Sequence, residues 1–318
     1  PLAHAIDGGG AIRFPAAAGG LVGLRPTRGR TPLGPDSGQA LNGFGIEHVV
    51  SRTVRDSAAA LDATEGPGIG DSYEIARPAR SYLDAARTAP RPLRIALMTE
   101  AWGGARTAPD ILAALQATAH LLEDLGHHVE EATPALGLSW DAFVETNAII
   151  WCGNMAMWID GLAAALGRDI SADTLERSTL ACYAYGSALS AKAYLAADAN
   201  CNQVSRSVAK FFRRYDLLLT PVLPQSPQPL GYHDANAPVS SGLDWTARIF
   251  EATPFTPLFN MTGQPALSLP LHQGSDGLPI GLQFAAPYGD EDTLFSLAGQ
   301  LEAACPWAGR QPPVFAGH

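Results

Sequence analysis

The alternation of apolar and polar positions divides this chain into recognisable elements. TVRDSAAALDATEG, Thr53 to Gly66, reads as a helix capped by Thr53 and stopped by Gly66. PLRIALMTE then supplies a short buried strand. TAPDILAALQATAHLLEDLG follows as an amphipathic helix, with Thr107 as its cap, Pro109 in its first turn and Gly126 at its end. HHVEEA is a second strand, so this passage predicts a right-handed βαβ crossover. From about Trp140 to Arg214 the pattern is almost wholly helical. The longest apolar stretch, Ala148 to Leu166, contains Asn154 and Asp160 and breaks at Gly167, which predicts a buried helix and not a membrane span. YDLLLTPVLP, ALSLPL and PIGLQFAA then read as buried strands, and DEDTLFSLAGQLEAAC as a closing helix. Residues 1–35 are a Gly-, Pro- and Arg-rich loop region with short apolar runs. No repeat and no low-complexity linker interrupts the chain. The expected architecture is α/β, a large mixed sheet covered by helices on both faces.

Composition narrows the function. The 318 residues are 47% hydrophobic and 16% charged, which suits a soluble protein with a large core. A net charge of −10 with no basic cluster excludes a nucleic-acid footprint. Cys152, Cys182, Cys201 and Cys305 are widely spaced with no C-x-x-C pair, which argues against zinc and against a disulfide framework. A reducing, cytoplasmic setting follows, with no leader segment and no membrane partner expected. The eight histidines show no ligand spacing, so neither a metal nor another cofactor is expected. His127 and His128, adjacent along a strand, point to opposite faces and are expected at the surface.

The chemical candidate is DGGGAIRFPAAAGG, Asp7 to Gly20. Successive backbone N–H groups in a glycine loop form an anion-binding concavity, for phosphate or for an oxyanion. A phosphate loop needs a Lys and a Ser or Thr after the glycines, or G-x-G-x-x-G between strand and helix, and neither is present. That leaves the oxyanion reading against a plain tight turn at a sheet edge. The absence of a G-x-S-x-G elbow counts against an α/β-hydrolase.

DGGGAIRFPAAAGGLVGLRPTRGR resembles the nucleophile segment of the amidase signature family, Asp-x-Gly-Gly-Ser-[Ile/Val]-Arg-x-Pro-Ala followed by Gly-[Leu/Val]-[Lys/Arg]-Pro-Thr. Asp7, Gly9, Gly10, Ile12, Arg13, Pro15, Ala16, Gly23, Leu24, Arg25, Pro26 and Thr27 fall on that pattern. The resemblance continues through SRTVRDSAAALDATEG, RRYDLLLTPVLP and PFTPLFNMTGQPALSLPL to DGLPIGLQFAAPYGDEDTLFSLAGQLE, and is weakest between Ala105 and Arg206. It implies an amidase signature fold and hydrolysis of a carboxylic amide C–N bond through a serine acyl-enzyme, in which a second Ser in a cis peptide and a Lys activate the nucleophile.

The chain departs from that pattern where the chemistry sits. The position of the nucleophilic Ser is Ala11, and the first Ser in the chain is Ser37. The family's Lys and second Ser precede this motif, whereas residues 1–6 contain neither. Lys192 and Lys210 lie in helical stretches of different context. The resemblance therefore makes residues 1–318 the C-terminal portion of a single amidase signature domain. An upstream part of the same protein would carry the Lys and the cis-Ser, and the chain as it stands is expected to be inactive. Ala11 is either an engineered replacement or a natural loss.

The backbone N–H groups of Gly8, Gly9, Gly10 and Ala11 are the expected oxyanion donors, each worth roughly 3–4 kcal/mol in such a hole. Asp7 and Arg13 are expected to brace the loop as a charge-assisted pair. Cys152 falls where a family member carries a cysteine near its substrate; a buried structural thiol is the equal alternative. Trp151, Met155 and Phe259, with Trp158 beside them, are candidates for an apolar substrate pocket and equally for plain core, and GYHDANAPVSSG (Gly231–Gly242) reads as an irregular surface loop that could serve as a lid. The expected partner is a small, largely apolar amide, and a homodimer stays open. Two other readings remain: a glutaminase subunit of an amidotransferase, and a catalytically dead binding protein with this fold.

Overall fold

Each strand of the core sends alternate side chains to opposite faces, and helices bury both. In the computed structural model, which describes residues 2–35, 37–312 and 314–315, the strands are β1 (Leu2–Asp7), β2 (Val22–Arg25), β3 (Ile46–Ser51), β4 (Arg94–Leu97), β5 (His128–Glu131), β6 (Leu217–Pro221), β7 (Ala266–Gln273) and β8 (Pro279–Ala285). They form one sheet in the order β1-β3-β2-β7-β8-β6-β4-β5. The pairs β4–β5 and β4–β6 are parallel and the others antiparallel, so the sheet is mixed as expected. The helices are α1 (Arg13–Gly19), α2 (Val54–Thr64), α3 (Tyr82–Ala85), α4 (Pro109–Asp124), α5 (Trp140–Leu166), α6 (Arg177–Ser187), α7 (Ala191–Phe211), α8 (Gly242–Ala252), α9 (Pro257–Thr262) and α10 (Glu291–Ala304).

Strand periodicity is visible in β6. Leu217 and Leu219 join Leu61 of α2, Leu115 of α4 and Phe295 of α10 in one core, while Leu218 joins Phe143 of α5, Val204 of α7 and Phe250 of α8 in the other. Helix α1 lies unusually close to the sheet. A Cβ on Gly23 would fall 2.6 Å from the Ala16 Cβ, and one on Gly281 would fall 2.4 Å from the Ala17 Cβ. Glycine in β2 and β8 is what lets this helix, and the loop before it, sit flush on the strands.

Several local expectations hold. Thr53 caps α2 by accepting the Asp56 N–H at 3.1 Å, and α4 lies between the parallel strands β4 and β5 in the chain. Others are corrected. Thr107 does not cap α4: Ala108 occupies that position, and the Thr107 hydroxyl donates to the Thr99 carbonyl at 2.9 Å. His127 is buried; its Nδ1 accepts the Leu93 N–H at 3.1 Å and its Nε2 donates to Gln300 Oε1 at 2.9 Å. The strand begins only at His128, so the two-face rule did not apply to the pair.

Helix α5 differs most. Its first half is buried through Phe143, Val144, Ile150 and Cys152, and Gly167 ends it in a left-handed cap at φ 60°. Beyond Ala156, however, Met157, Leu162 and Leu166 are each 60% exposed, so the expectation of a buried helix fails for this half. By length and composition it is the one described helix that could cross a membrane. Apolarity all around a helix marks no particular face, and neighbouring elements cover only part of it.

His48 on β3 offers a pH prediction. It is 4% exposed, shares a hydrogen bond of 3.2 Å with Ser57 Oγ, and its Nδ1 has no partner among the described residues. Burial, opposed by the Ser57 contact, takes it from 6.5 down to about 4. The unfolded chain therefore binds the extra proton between these values, and stability falls as pH drops from about 6.5 towards 4. The full effect is about 3 kcal/mol, at 1.36 kcal/mol per pKa unit. Denaturant titrations at pH 7 and pH 4.5 should show the loss, and His48→Phe should flatten that slope. An unchanged slope in the variant would assign it to other groups.

Candidate active site

Strand β1 delivers Asp7 to the sheet's end, and α1 begins at Arg13, so residues 8–12 must turn sharply between two fixed elements. The Asp7 carboxylate organises that turn from inside. Its Oδ1 accepts the Gly10 N–H at 2.6 Å and its Oδ2 the Ile12 N–H at 3.3 Å. Arg13 grips the same carboxylate through both oxygens, Nε to Oδ2 at 2.9 Å and Nη2 to Oδ1 at 3.0 Å. Asn260 of α9 adds its Nδ2 to Oδ1 at 2.8 Å and to the Asp7 carbonyl at 3.0 Å.

The remaining Arg13 donors are also satisfied. Nη1 reaches the Thr256 carbonyl and Gln283 Oε1, both at 2.8 Å, and Nη2 reaches Asn260 Oδ1 at 2.6 Å. Thr256 closes the circuit by donating its hydroxyl to the Gly9 carbonyl at 2.7 Å. Asp7, Arg13, Thr256, Asn260 and Gln283 are all 0% exposed. Burial alone would raise the Asp7 pKa; the charge and hydrogen bonds of Arg13, with Arg25 and Asn260, take it instead from 3.8 to about 2. Asp7 and Arg13 thus brace the loop and are shut away from any substrate.

This bracing corrects the expected donor set. The Gly10 N–H is committed to Asp7, because a carboxylate buried this deeply must be met by local donors. The N–H groups of Gly8, Gly9 and Ala11, the other three expected donors, have no partner among the described residues. Ala11 is exposed beside them. Close walls surround the glycines. A Cβ on Gly9 would lie 2.4 Å from the Trp151 ring, one on Gly8 2.6 Å from Leu41 Cδ1, and one on Gly10 2.2 Å from Thr256 Oγ1. At Gly9 the Trp151 ring, and at Gly10 the buried Thr256 together with a φ of 130°, leave no room for a side chain, whereas at Gly8 only the end of Leu41 would have to move.

The pocket candidates separate. Trp151 does lie over the loop, edge-on to Phe250 at 5.4 Å, and its buried Nε1–H has no partner among the described residues. Met155 is half-buried one helical turn further on. Phe259 is 0% exposed and belongs to the core, the second of its two readings, since α9 turns it inward beside Leu258 and Met261. Cys152 is likewise 0% exposed. Its Sγ lies 2.8 Å from where a Gly242 Cβ would stand, at the junction of α5, α6 and α8, with the Cys182 thiol as its neighbour. The hydrogen bond that its S–H gives to Cys182, together with burial, pushes the Cys152 pKa up, which disfavours the thiolate that a nucleophile needs.

An apolar cleft of about 560 Å³ opens beside the loop, lined by Phe14 and Ala18 of α1, Leu223, Leu230, and Ile249 and Ala252 of α8. Phe14 connects the two, its Cδ1 standing 2.8 Å from where a Gly10 Cβ would be. Gly231 and His233 border this cleft, so part of the expected lid segment lies at it. Sequence reasoning assigned no role to Thr256, Asn260 or Gln283. The available signal was chemical: Asn260 in LFNMT and Gln283 in GLQFA are amides inside apolar runs, where a buried partner is required.

Comparison with known proteins agrees with this geometry. The family model described as Amidase matches residues 1–295. The 6-aminohexanoate-cyclic-dimer hydrolase of Paenarthrobacter ureafaciens is 32% identical, aligned over 99% of this chain and 65% of its own length. A solved structure of 6-aminohexanoate cyclic dimer hydrolase superposes with a TM-score of 0.92 at 32% identity, covering 98% of this chain and 66% of that one. A bacterial aryl acylamidase, at 22% identity and a TM-score of 0.81, shares the fold. The chain thus spans slightly less than two thirds of the length of these hydrolases.

Proposed function

The chain belongs to the amidase family, and from that premise we propose that its glycine loop receives the carbonyl of a small, largely apolar carboxylic amide whose C–N bond the whole protein hydrolyses. The observation that carries this reading is the loop itself. A buried Asp7–Arg13–Asn260 network holds Gly9 and Ala11 with unspent N–H groups, beside an apolar cleft. Backbone donors preorganised in this way suit the oxygen that gains negative charge when an amide carbonyl is attacked. Ala11 stands where the nucleophilic serine would act, and its methyl cannot attack. A proton-accepting Lys and a bridging Ser would come from outside these 318 residues, so this chain binds amide without turnover. Free thiols at Cys152, Cys182, Cys201 and Cys305 fit a cytoplasmic setting.

Calorimetric titration of the purified chain with 6-aminohexanoate cyclic dimer and with acetanilide tests this reading. Saturable binding of at least one, with the amide intact afterwards, is the expected result. A non-amide ligand that binds tightly while no amide does would favour a binding protein that keeps the fold. Turnover above buffer by the unaltered chain would refute the assignment of position 11.

A further inference from the structure

The turn Ala40–Gly43 adopts a conformation its sequence does not favour. Leu41 (φ 52°, ψ 45°) and Asn42 (φ 55°, ψ 35°) are left-handed, followed by Gly43 at φ 81°. Asparagine and glycine tolerate this region, but leucine rarely enters it. Such an outlier persists where its surroundings over-determine it, and outliers of this kind gather at functional sites. Here the surroundings are the network that shapes the glycine loop. Asn260 Nδ2, which donates to Asp7, also donates to the Phe44 carbonyl at 3.1 Å. Arg28 ties the Gly43 carbonyl at 2.7 Å to those of Asn260 at 2.9 Å and Met261 at 2.8 Å. Asn42 is latched to Asp198 of α7 at 3.2 Å.

The product of this arrangement is the place of one side chain. Leu41 Cδ1 lies 2.6 Å from where a Cβ of Gly8 would stand, so its methyl covers one flank of the glycine loop while Trp151 covers Gly9. Leu41 is only half-buried, so one side of it stays open beside the site.

We propose that Leu41 is a specificity-determining wall of the amide site, setting with Trp151 the width of the slot above the glycine loop and favouring unbranched over branched acyl groups. This rests on the amide reading given above. The test uses the 318-residue chain and two probes, acetanilide and pivalanilide, titrated calorimetrically against the parent and against Leu41→Ala, Leu41→Gly and Leu41→Asn. Alanine and glycine remove the wall, and the ratio of affinities should move about 10-fold or more towards pivalanilide in both. Asparagine relaxes the backbone but keeps a side chain of similar length, and should leave the ratio close to the parent's. Changes in melting temperature without a change of ratio in the alanine and glycine variants would make Leu41 a purely structural residue and overturn the proposal. The same movement in all three variants would assign the effect to backbone relaxation and overturn it as well. Failure of the parent to bind either anilide would instead overturn the amide reading itself, and this wall with it.

Discussion

Ala11→Ser should raise amide hydrolysis by about 10,000-fold or more once a Lys and a bridging Ser are supplied, because catalytic groups that act as one unit lose nearly everything when one is missing. The expected gain follows from the geometry of the loop. Serine adds a single oxygen at an exposed position, and the hydrogen bonds that shape the turn run through Asp7, Arg13, Thr256 and Asn260 without using the side chain at position 11. A chimera supplies the missing groups. The segment preceding the glycine loop in the 6-aminohexanoate-cyclic-dimer hydrolase of Paenarthrobacter ureafaciens is joined to this chain, either unaltered or carrying Ala11→Ser. Release of free amine from 6-aminohexanoate cyclic dimer is then followed. The alanine chimera should bind without turnover and the serine chimera should hydrolyse. An inert serine chimera that still binds the amide would show that the donors of Gly9 and Ala11 are not placed for an attacked carbonyl. In the chain without the added segment, Ala11→Ser should remain inactive, since on the proposed reading the base that takes the serine proton comes from that segment.

Arg13→Met should cost about 3–5 kcal/mol of folding stability, the usual penalty for removing one partner of a buried ion pair. The loss is large because Arg13 is 0% exposed and its donors bind the Asp7 carboxylate, the Thr256 carbonyl, Gln283 and Asn260 together. The charge left behind on Asp7 gives the variant a pH signature. In the parent, Asp7 has a folded pKa of about 2 against the ordinary aspartate value of 3.8, so its contribution is present above about pH 4 and lost as pH falls towards 2. Without Arg13, burial dominates and raises that pKa, so the variant's Asp7 becomes protonated on folding. The deficit should therefore be largest near neutral pH and narrow as pH falls through 4. Asp7→Asn combined with Arg13→Met should recover part of it at pH 7. Denaturant titrations of both variants at pH 7 and pH 3.5 check this, and a deficit independent of pH would mean that packing, not the ion pair, carries the loss.

The glycine loop shows how far the sequence could be read. The glycines left an oxyanion loop open against a tight turn until the family resemblance was added, and the expected pairing of Asp7 with Arg13 is present in the structure. Which N–H groups stay unspent was not legible. It depends on the direction in which the Asp7 carboxylate turns, and that direction is set by Arg13 together with Asn260, 253 positions away in the chain. Trp151 and Phe259 looked alike as aromatic residues in apolar helices, yet one lies over Gly9 and the other is sealed in the core.

Short-range physics was written into the sequence by itself. Apolar runs marked β6, β7 and β8 as buried strands, helical spacing marked α2, α4 and α10, Thr53 marked a helix start, and Asp7 to Thr27 carried the resemblance to the family. Those features depend on residues within a turn or two of one another, so local order displays them. Tertiary structure alone decided the strand order, the partner of each apolar face, the exposed half of α5, the inward placement of Cys152 and His127, and the strained seat of Leu41. The reason is distance along the chain. Periodicity states that a face is apolar and a polar residue in an apolar run states that it needs a partner, but neither names the partner. Arg13 meets Gln283 across 270 positions because the tertiary fold packs α1 against β8.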